Sequence, residues 1–384
     1  MIPYGRQTIS EEDVQAVVDV LRSDYLTQGP KVPEFERRLA EQVGAQYAVA
    51  VNSATSALHM ACLALELSVG DWLWTSSNSF VASSNCGLYC GANVDFVDID
   101  PQTYNMSPQA LHRKLELARE MGCLPKVVIP VHFAGQSCDM EAIAKLAREY
   151  GFKVIEDASH AIGGYWQGKP IGACTYSDIT VFSFHPVKII TTAEGGGLTT
   201  NDPLLASRLA DLRSHGITRE VNRMVQPYQG AWYYEQQELG YNYRMTELQA
   251  ALGISQMVRL ESFVATRHTL VARYQAGLGD LPLTLPWQHP DSYSAFHLYV
   301  IQVKENARLN RRELFDMLRE AGIHVNVHYI PIHTQPYYQR FGFERGDFPH
   351  TEAYYQRAIS LPLYAGLTQV DQDFVVAKLR EWLL

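Results

Sequence analysis

The sequence predicts an α/β protein in which a large domain with a mostly parallel sheet precedes a small α+β domain. Three observations support this prediction. At 384 residues, the chain exceeds the length at which a single hydrophobic core usually stops growing. Short β-rich runs alternate with helical runs between residues 10 and 190, which is typical of parallel strands joined by helices. Beyond residue 281, the pattern changes to strand, helix and strand, which indicates a small α+β unit.

Six β-rich runs and several helical runs define the first domain. The β runs cover residues 47–51, 72–75, 94–98, 126–131, 153–156 and 179–184. In the helical runs apolar residues recur at intervals of three and four; examples are residues 53–67, 108–121 and 139–150. Because sheets of this kind bind ligands in a crevice at the carboxyl ends of their strands, we expect the functional site at that edge.

The second domain begins after a long helical run. This run covers residues 246–278 and leads to a loop that contains Pro282 and Pro286. A strand near 297–303, a helix near 311–321 and a strand near 323–328 follow it. We therefore predict that residues 1–250 form the large domain with an N-terminal arm, and that residues 251–384 form a linking helix and the small domain.

Composition and charge argue against several classes of function. A formal charge of −9 and a pI near 5.8 disfavour a general nucleic-acid binder, which needs a concentrated basic face. No stretch approaches the roughly 20 apolar residues that cross a bilayer. The first residues lack the basic and then apolar profile of a secretory signal, and they lead into a helix-capping pattern at Ser10. We therefore expect a cytoplasmic protein with no membrane or nucleic-acid partner.

The cysteines give no sign of a metal site. They contain no Cys-x-x-Cys pair, and most have small or apolar neighbours. This pattern favours reduced, buried thiols over a disulfide framework, and we predict no bound metal. The six residues are Cys62, Cys86, Cys90, Cys123, Cys138 and Cys174.

Small hydroxyl residues follow the first β run and open a helix. Backbone N–H groups at the start of a helix favour an anion, and the helix dipole adds to this preference. Ser53, Ala54 and Thr55 could therefore hold a phosphate group without a lysine. The alternative is an ordinary Ser/Thr helix cap, which this pattern alone favours.

Two acids stand at the end of the β run that covers residues 153–156. A carboxylate in that place can keep a heterocyclic nitrogen protonated, because the two opposite charges stabilise each other. Asp157 is the candidate for this role. Paired acids after a strand also occur in magnesium sites and as surface caps, so the pattern alone leaves those alternatives open.

Lys188 follows the last of the six β runs and precedes three consecutive glycines, residues 195–197. A lysine that loses part of its hydration has a lowered pKa, and its amine becomes a nucleophile toward an aldehyde. The glycines would allow the backbone to approach a flat ligand closely. The alternative is a solvated lysine before a glycine turn.

The order of these three features is more specific than any one of them. An anion cradle, then an acid, then a lysine 31 residues later is the order found in aminotransferases of the aspartate aminotransferase type. Over nearly its whole length the chain resembles the DegT/DnrJ/EryC1/StrS family of sugar-nucleotide aminotransferases. The runs that carry the resemblance are residues 26–30, 52–58, 156–161, 182–188, 194–196 and 239–245.

The resemblance implies fold type I, pyridoxal 5'-phosphate as cofactor and a role for each residue of the motifs. Lys188 would form the Schiff base with the cofactor and move the proton, and Asp157 would pair with the pyridinium nitrogen. His160 would lie near the ring oxygen. The remaining residues would surround the phosphate, stack on the ring or, for Asn242, reach the phosphate from the partner subunit of a homodimer; they are Ser53, Ala54, Thr55, Phe80, Ser183 and Asn242.

The resemblance also implies a nucleotide-sugar site. Its residues would come from the N-terminal arm, a segment before the second helix, the phosphate cradle and a C-terminal turn. They are Tyr4, Asp24, Tyr25, Leu26, Thr27, Ala54, Ser183, Asn242, His328 and Tyr329. Tyr4, Tyr25 and Phe80 have alternative roles as packed aromatic side chains.

The implied reaction is a ping-pong transamination from L-glutamate to C4 of a UDP-linked 4-keto-6-deoxy-N-acetyl amino sugar. Residues 25–30, 213–216 and 325–332 are most similar to family members that act in pseudaminic acid synthesis. The alternatives are amination of another 4-keto or 3-keto nucleotide sugar, and a protein that binds cofactor and nucleotide sugar without turnover. A related dehydratase would have histidine in place of Lys188. A nicotinamide dehydrogenase would carry a Gly-x-Gly-x-x-Gly turn after the first strand, which this sequence lacks.

Overall fold

A computed structural model describes all 384 residues, 1–384. The strands are β1 (Ile2–Pro3), β2 (Tyr47–Val51), β3 (Trp72–Ser76), β4 (Asn93–Val97), β5 (Val127–Ile129), β6 (Lys153–Asp157), β7 (Tyr165–Trp166), β8 (Lys169–Pro170), β9 (Ile179–Ser183), β10 (Gly196–Thr200), β11 (Ile217–Thr218), β12 (Glu235–Gln236), β13 (Leu283–Thr284), β14 (Ser292–Tyr293), β15 (Tyr299–Val303), β16 (Ile323–His324) and β17 (Ala358–Leu361). The α-helices are α1 (Glu11–Leu21), α2 (Lys31–Val43), α3 (Ala54–Ala64), α4 (Ala82–Tyr89), α5 (Pro108–Met121), α6 (Met140–Tyr150), α7 (Pro203–Arg213), α8 (Glu247–Met257), α9 (Leu260–Leu278), α10 (Arg311–Glu320), α11 (Pro336–Gln339), α12 (Pro349–Arg357) and α13 (Gln369–Leu383).

A seven-stranded sheet forms the centre of the protein, in the order β2-β10-β9-β6-β5-β3-β4. Only β10 runs against its neighbours, pairing antiparallel with β2 and β9. The prediction of a mostly parallel sheet is therefore confirmed. All six β runs predicted in this domain contain a strand of the sheet, with ends displaced by at most two residues.

Helices cover both faces of this sheet, so its strands are apolar on both sides. Successive residues of one strand contribute to different hydrophobic clusters. Val154 packs with α5 and α6, whereas Ile155 packs with α3 on the opposite face. Burial of each such side chain contributes about 1.5–3 kcal/mol. This packing fixes the direction in which the strand ends deliver their polar residues.

Strand β10 was not predicted, because its first residues read as part of a glycine turn. The structure instead packs those glycines against the protein itself. A Cβ atom on Gly196 would lie 2.6 Å from the carbonyl carbon of Ser53, so only glycine fits at that close approach. One on Gly197 would lie 2.7 Å from the Leu39 side chain. The expectation that the glycines make room for a flat ligand is therefore corrected at both positions.

The helical run predicted at 246–278 is two helices, α8 and α9, which corrects the prediction of one. Thr246 begins α8 with a reciprocal capping box to Gln249. At the end of α8 the hydrogen bonds tighten, since Val258 N–H donates to Ser255 O and Arg259 N–H donates to Gln256 O. The periodic apolar pattern continues through this break, so periodicity alone does not reveal it.

The C-terminal part contains a three-stranded antiparallel sheet, β13-β15-β17, with α9, α10 and α13 packed around a common core. The strand predicted at 323–328 is shorter than expected, because only Ile323–His324 pair, and their partner is β1 of the N-terminal arm. The predicted domain division at residue 250 remains a prediction.

No helix of this protein combines the length and the apolar character needed to cross a membrane. All six cysteines are free thiols, and the buried ones are Cys62, Cys86, Cys138 and Cys174.

Candidate active site

A cavity of about 550 Å³ lies at the carboxyl ends of β6 and β9, beside the start of α3. This is the edge of the sheet at which the sequence predicts a ligand site. The cavity brings together most of the predicted site residues: Tyr4, Ser53, Ala54, Thr55, Phe80, Asp157, His160, Ser183, Lys188, His328 and Tyr329. Its volume lies within the range of small-molecule and cofactor sites.

Lys188 reaches the cavity from the turn that follows β9. The turn is closed by a hydrogen bond of 2.9 Å from Lys188 N–H to His185 O. The side chain is half-buried, with its accessible part facing the cavity. Loss of hydration lowers the pKa of the Lys188 amine to about 8, and the negative charge of Asp157 opposes that shift. The site therefore favours a neutral, nucleophilic amine more than bulk water does.

Asp157 ends β6 and is 4% exposed. One carboxylate oxygen, Oδ2, accepts a hydrogen bond of 2.7 Å from Ser83 Oγ. The other, Oδ1, accepts one of 3.1 Å from the Ser159 backbone N–H. Each oxygen retains a lone pair for a further donor, and Lys188 lies on the same cavity wall.

Ser53 is the N-cap of α3, as the alternative reading of this segment predicts. Its hydroxyl accepts the Ser56 N–H at 3.1 Å. The cap does not rule out a phosphate site, because the first backbone amides of a helix have no acceptor within it, and Ala54 and Thr55 line the same cavity. With the helix dipole, these amides form a suitable site for an anion.

Phe80 precedes α4 and is 59% exposed, so it is not a core residue. Its ring lines the cavity, and its centroid lies 6.3 Å from that of Tyr329. An exposed aromatic face in a cleft is available to stack on a planar ligand.

Both ring nitrogens of His160 have hydrogen-bond partners, one in the backbone and one in the side chain of Tyr329. The Ala134 N–H donates to His160 Nδ1 at 3.3 Å, so the ring hydrogen of the neutral imidazole lies on Nε2. His160 Nε2 then donates to the Tyr329 hydroxyl at 3.1 Å. Burial and the charge of Lys188 lower the pKa of His160, which keeps the ring neutral near pH 7.

One part of the cavity wall is aromatic and is formed by Tyr4, His328 and Tyr329. Tyr4 and His328 have ring centroids 5.3 Å apart. Burial lowers the pKa of His328 to about 3 and raises that of Tyr329. These groups therefore act as neutral hydrogen-bonding surfaces and not as charges.

Five predicted residues do not line the cavity of a single chain. Asp24, Tyr25, Leu26 and Thr27 are exposed and lie between α1 and α2. Asn242 is also exposed, in a segment that bridges to Ser214. Their roles remain predictions, and for Asn242 the prediction already requires a second subunit.

Sequence reasoning missed several polar side chains of the cavity, among them Ser83, His297 and Asn326. Ser83 follows Ser79 at the helical interval of four residues, and this spacing could have indicated a shared face. The ring centroids of His297 and His160 lie 4.4 Å apart, but His297 comes from the segment just before β15, 137 residues later. Nothing local to His297 or Asn326 in the sequence indicates that they reach this site.

The residues of this cavity fit pyridoxal 5'-phosphate. Lys188 offers an amine with a lowered pKa, Asp157 offers a buried carboxylate, and the first turn of α3 offers free amides for the phosphate. Phe80 offers an aromatic face. An electrophilic cofactor with one cationic ring nitrogen and one phosphate has a counterpart here for each of its functional parts.

The fold and this site define a pyridoxal-phosphate-dependent aminotransferase of fold type I. The chain belongs to the DegT/DnrJ/EryC1/StrS aminotransferase family, whose profile matches residues 7–380. It is 42% identical to the spore coat polysaccharide biosynthesis protein SpsC of Bacillus subtilis, covering 99% of this chain and 96% of that protein.

Solved structures agree with this assignment. Spr1654 from Streptococcus pneumoniae, in its PMP form, superposes with a TM-score of 0.91 and 30% identity, over 99% of this chain and 98% of that one. Helicobacter pylori PseC, an aminotransferase involved in the biosynthesis of pseudaminic acid, has a TM-score of 0.89 and 31% identity, over 100% and 99% of the two chains.

Proposed function

We propose that this sugar aminotransferase moves the amino group of L-glutamate to C4 of a UDP-linked 4-keto-6-deoxy-N-acetyl amino sugar. The product would be UDP-4-amino-4,6-dideoxy-N-acetyl-β-L-altrosamine, an intermediate of pseudaminic acid synthesis. The observation that carries the proposal is the end-to-end similarity to PseC, at 31% identity, combined with a cavity that holds Lys188 and Asp157 together.

The chemistry divides between cofactor and protein. When bound, pyridoxal phosphate supplies an electron-withdrawing ring that stabilises charge at the carbon from which a proton leaves. Lys188, whose pKa burial lowers to about 8, can take the proton from the α-carbon of glutamate and return one to C4 of the sugar. Asp157 keeps the ring nitrogen protonated, and the Ala54 and Thr55 amides hold the phosphate.

The sugar nucleotide would lie along the aromatic wall. Tyr4, His328 and Tyr329 present neutral donors and acceptors that suit hydroxyl and acetamido groups. Lys188 is the only cationic side chain that lines the cavity, and the reaction already uses it. We propose that the protein is cytoplasmic. We also propose that it is a homodimer, in which Asn242 and the exposed residues near Tyr25 supply further polar contacts to the site of the other subunit.

A second candidate is amination of a different 4-keto or 3-keto nucleotide sugar. The observation that favours it is the identity of 42% to SpsC, whose name refers to spore coat polysaccharide, against 31% to PseC. The two candidates share every residue of the cofactor site and differ only in the sugar that they accept.

The test starts from purified protein loaded with pyridoxal phosphate. L-glutamate should bleach the absorbance of the bound cofactor, and a keto sugar that is a substrate should restore it. A panel of UDP- and dTDP-linked keto sugars, with the product stereochemistry read by NMR, then identifies the substrate. Recovery with a dTDP-linked or 3-keto sugar only would replace the first candidate with the second, and no bleaching by glutamate would reject both.

Lys188→Ala is the matched control. This variant should lose turnover and the covalent link to the cofactor, which borohydride reduction and mass spectrometry measure. Its affinity for pyridoxal phosphate should fall less than its turnover, because Asp157 and the backbone amides that would hold the phosphate remain. Near-native turnover by Lys188→Ala would show that another residue performs the proton transfer.

A further inference from the structure

Helix α4 contributes a serine to the site for which the proposed reaction has so far given no role. Ser83 lies in the first turn of α4 and is 1% exposed, and Ser79, at 2% exposed, precedes the helix. Ser83 Oγ is 2.7 Å from Asp157 Oδ2, and Ser79 Oγ is 2.7 Å from Ser83 Oγ. Two buried hydroxyls thus form a chain that ends on the proposed partner of the ring nitrogen.

The direction of this chain follows from the hydrogens that each group carries. An ionised carboxylate has none, so the single hydroxyl hydrogen of Ser83 must point to Asp157. The Ser79 hydroxyl must then donate to Ser83, because the Ser83 hydrogen is already used. Donation from Ser79 polarises Ser83 and strengthens its bond to the carboxylate.

The two donors on Asp157 come from different elements. Ser83 approaches Oδ2 from α4, whereas the Ser159 N–H approaches Oδ1 from the residues just after β6. A donor on each oxygen fixes the rotation of the carboxylate about its last bond. Without Ser83, only the Ser159 amide would define this rotation, and the carboxylate could turn toward the Lys188 amine on the same wall.

The same turn also delivers Phe80, which is exposed to the cavity. Five consecutive residues, from Ser79 to Ser83, therefore present an aromatic face and the support of the acid together. The position of Phe80, on which a ring would stack, is therefore linked to the position of Ser83, which supports the carboxylate that would bind the ring nitrogen.

We propose that Ser83, supported by Ser79, is a positioning residue that orients the Asp157 carboxylate toward the protonated ring nitrogen of the cofactor. This proposal rests on the proposed function, because Asp157 is assigned to that nitrogen there. Ser83 itself does not contact the reacting atoms, and its effect passes through Asp157.

Ser83→Ala tests the proposal, with Ser84→Ala as the matched control. Ser84 is the next residue of α4 and is fully buried, but its hydroxyl contacts Tyr338 at 2.6 Å and not Asp157. Both variants remove one buried hydroxyl from the same helical turn. A loss of stability that both variants share therefore reports packing. A loss of cofactor affinity that occurs only in Ser83→Ala reports the orientation of the Asp157 carboxylate.

The measurements are cofactor affinity by absorbance titration of cofactor-depleted protein, kcat and KM for glutamate, and melting temperature. Ser83→Ala should bind pyridoxal phosphate about tenfold more weakly, as expected for a lost hydrogen bond to a charged group. Its kcat should fall by a similar factor at unchanged KM for glutamate. Ser84→Ala should match the wild type in affinity and kcat.

Equal cofactor affinity and kcat in the two variants would overturn the proposal, whatever their melting temperatures. The outcome is separate from that of the proposed function. Failure of wild-type protein to react with glutamate would reject the function, whereas the cofactor affinities of the two serine variants would still decide the role of Ser83.

Discussion

Glu156 and Asp157 are neighbours at the end of one strand and are buried to the same degree, at 5% and 4% exposed, yet their surroundings differ. Side chains alternate along a strand, so the two carboxylates face opposite sides of the sheet. Glu156 accepts hydrogen bonds from side chains on both of its oxygens and does not line the cavity that holds Lys188. Asp157 faces the cavity that also holds Lys188.

The protein supplies a side-chain donor to each oxygen of Glu156. His132 Nδ1 accepts the Cys138 N–H at 3.1 Å, so its Nε2 carries the hydrogen and donates to Glu156 Oε2 at 2.7 Å. Ser177 Oγ donates to Oε1 at 2.5 Å. Burial alone therefore does not mark a functional acid. What distinguishes Asp157 is that its buried carboxylate lies beside the cavity that holds Lys188.

Replacing each acid by its amide gives the largest contrast. Asp157→Asn keeps the shape but removes the charge that would pair with the ring nitrogen. Loss of a buried pair costs about 3–5 kcal/mol, so kcat/KM should fall by roughly a hundredfold to several thousandfold. Steady-state kinetics with glutamate measures this effect, and melting temperature should change little.

Activity in Asp157→Asn within a few fold of the wild type would contradict the assignment. It would mean that the ring nitrogen needs no carboxylate at this position, and Asp157 would then belong with Glu156 as a structural acid.

Glu156→Gln should have the opposite signature. Two donors face the two oxygens of Glu156, and an amide can accept only one of them while its NH₂ group opposes the other. The mismatch should lower the free energy of unfolding by about 1–3 kcal/mol, measured by denaturant titration. The kcat should remain near that of the wild type. A large loss of kcat at unchanged stability would show that the far face of the sheet also takes part in the reaction.

The sequence predicts the strand ends well, because apolar β runs and the polar residues after them are local signals. It named Asp157 as the candidate, and the structure places Asp157 at the cavity, but a local pattern alone does not show which of Glu156 and Asp157 faces it. That choice depends on the strand's rotation, which packing of Val154 and Ile155 on opposite faces fixes. Ser83 was missed because its partner lies 74 residues away in the chain and only the parallel crossovers bring the two together.

Two further misses have the same physical origin. Strand β10 has a glycine-rich start that reads as a turn, and its β character appears only when Gly196 packs against the Ser53 backbone. The break between α8 and α9 lies within a continuous apolar periodicity. Contacts between residues distant in sequence determine both features. The order of Ser53, Asp157 and Lys188 could be predicted because the order of residues is given directly by the sequence.

A smaller effect is expected when one donor to Glu156 is removed. Ser177→Ala removes one hydrogen bond and leaves Oε1 with the weaker contact to Thr180 Oγ1 at 3.4 Å. The free energy of unfolding should fall by about 1 kcal/mol, with kcat and cofactor affinity unchanged. Denaturant titration measures the first, and a loss of cofactor affinity would show that the Glu156 network extends through the sheet to the cavity.

The smallest effect is on the titration of Lys188. Competitive acetylation of cofactor-depleted protein, followed by mass spectrometry, should show the reactivity of this amine rising as the pH passes about 8, where the neutral form begins to dominate. The charge of Asp157 raises this pKa, so Asp157→Asn should move the midpoint to lower pH, and Glu156→Gln should leave it unchanged. An equal displacement in both variants would mean that the two faces of the sheet are not electrostatically distinct at Lys188.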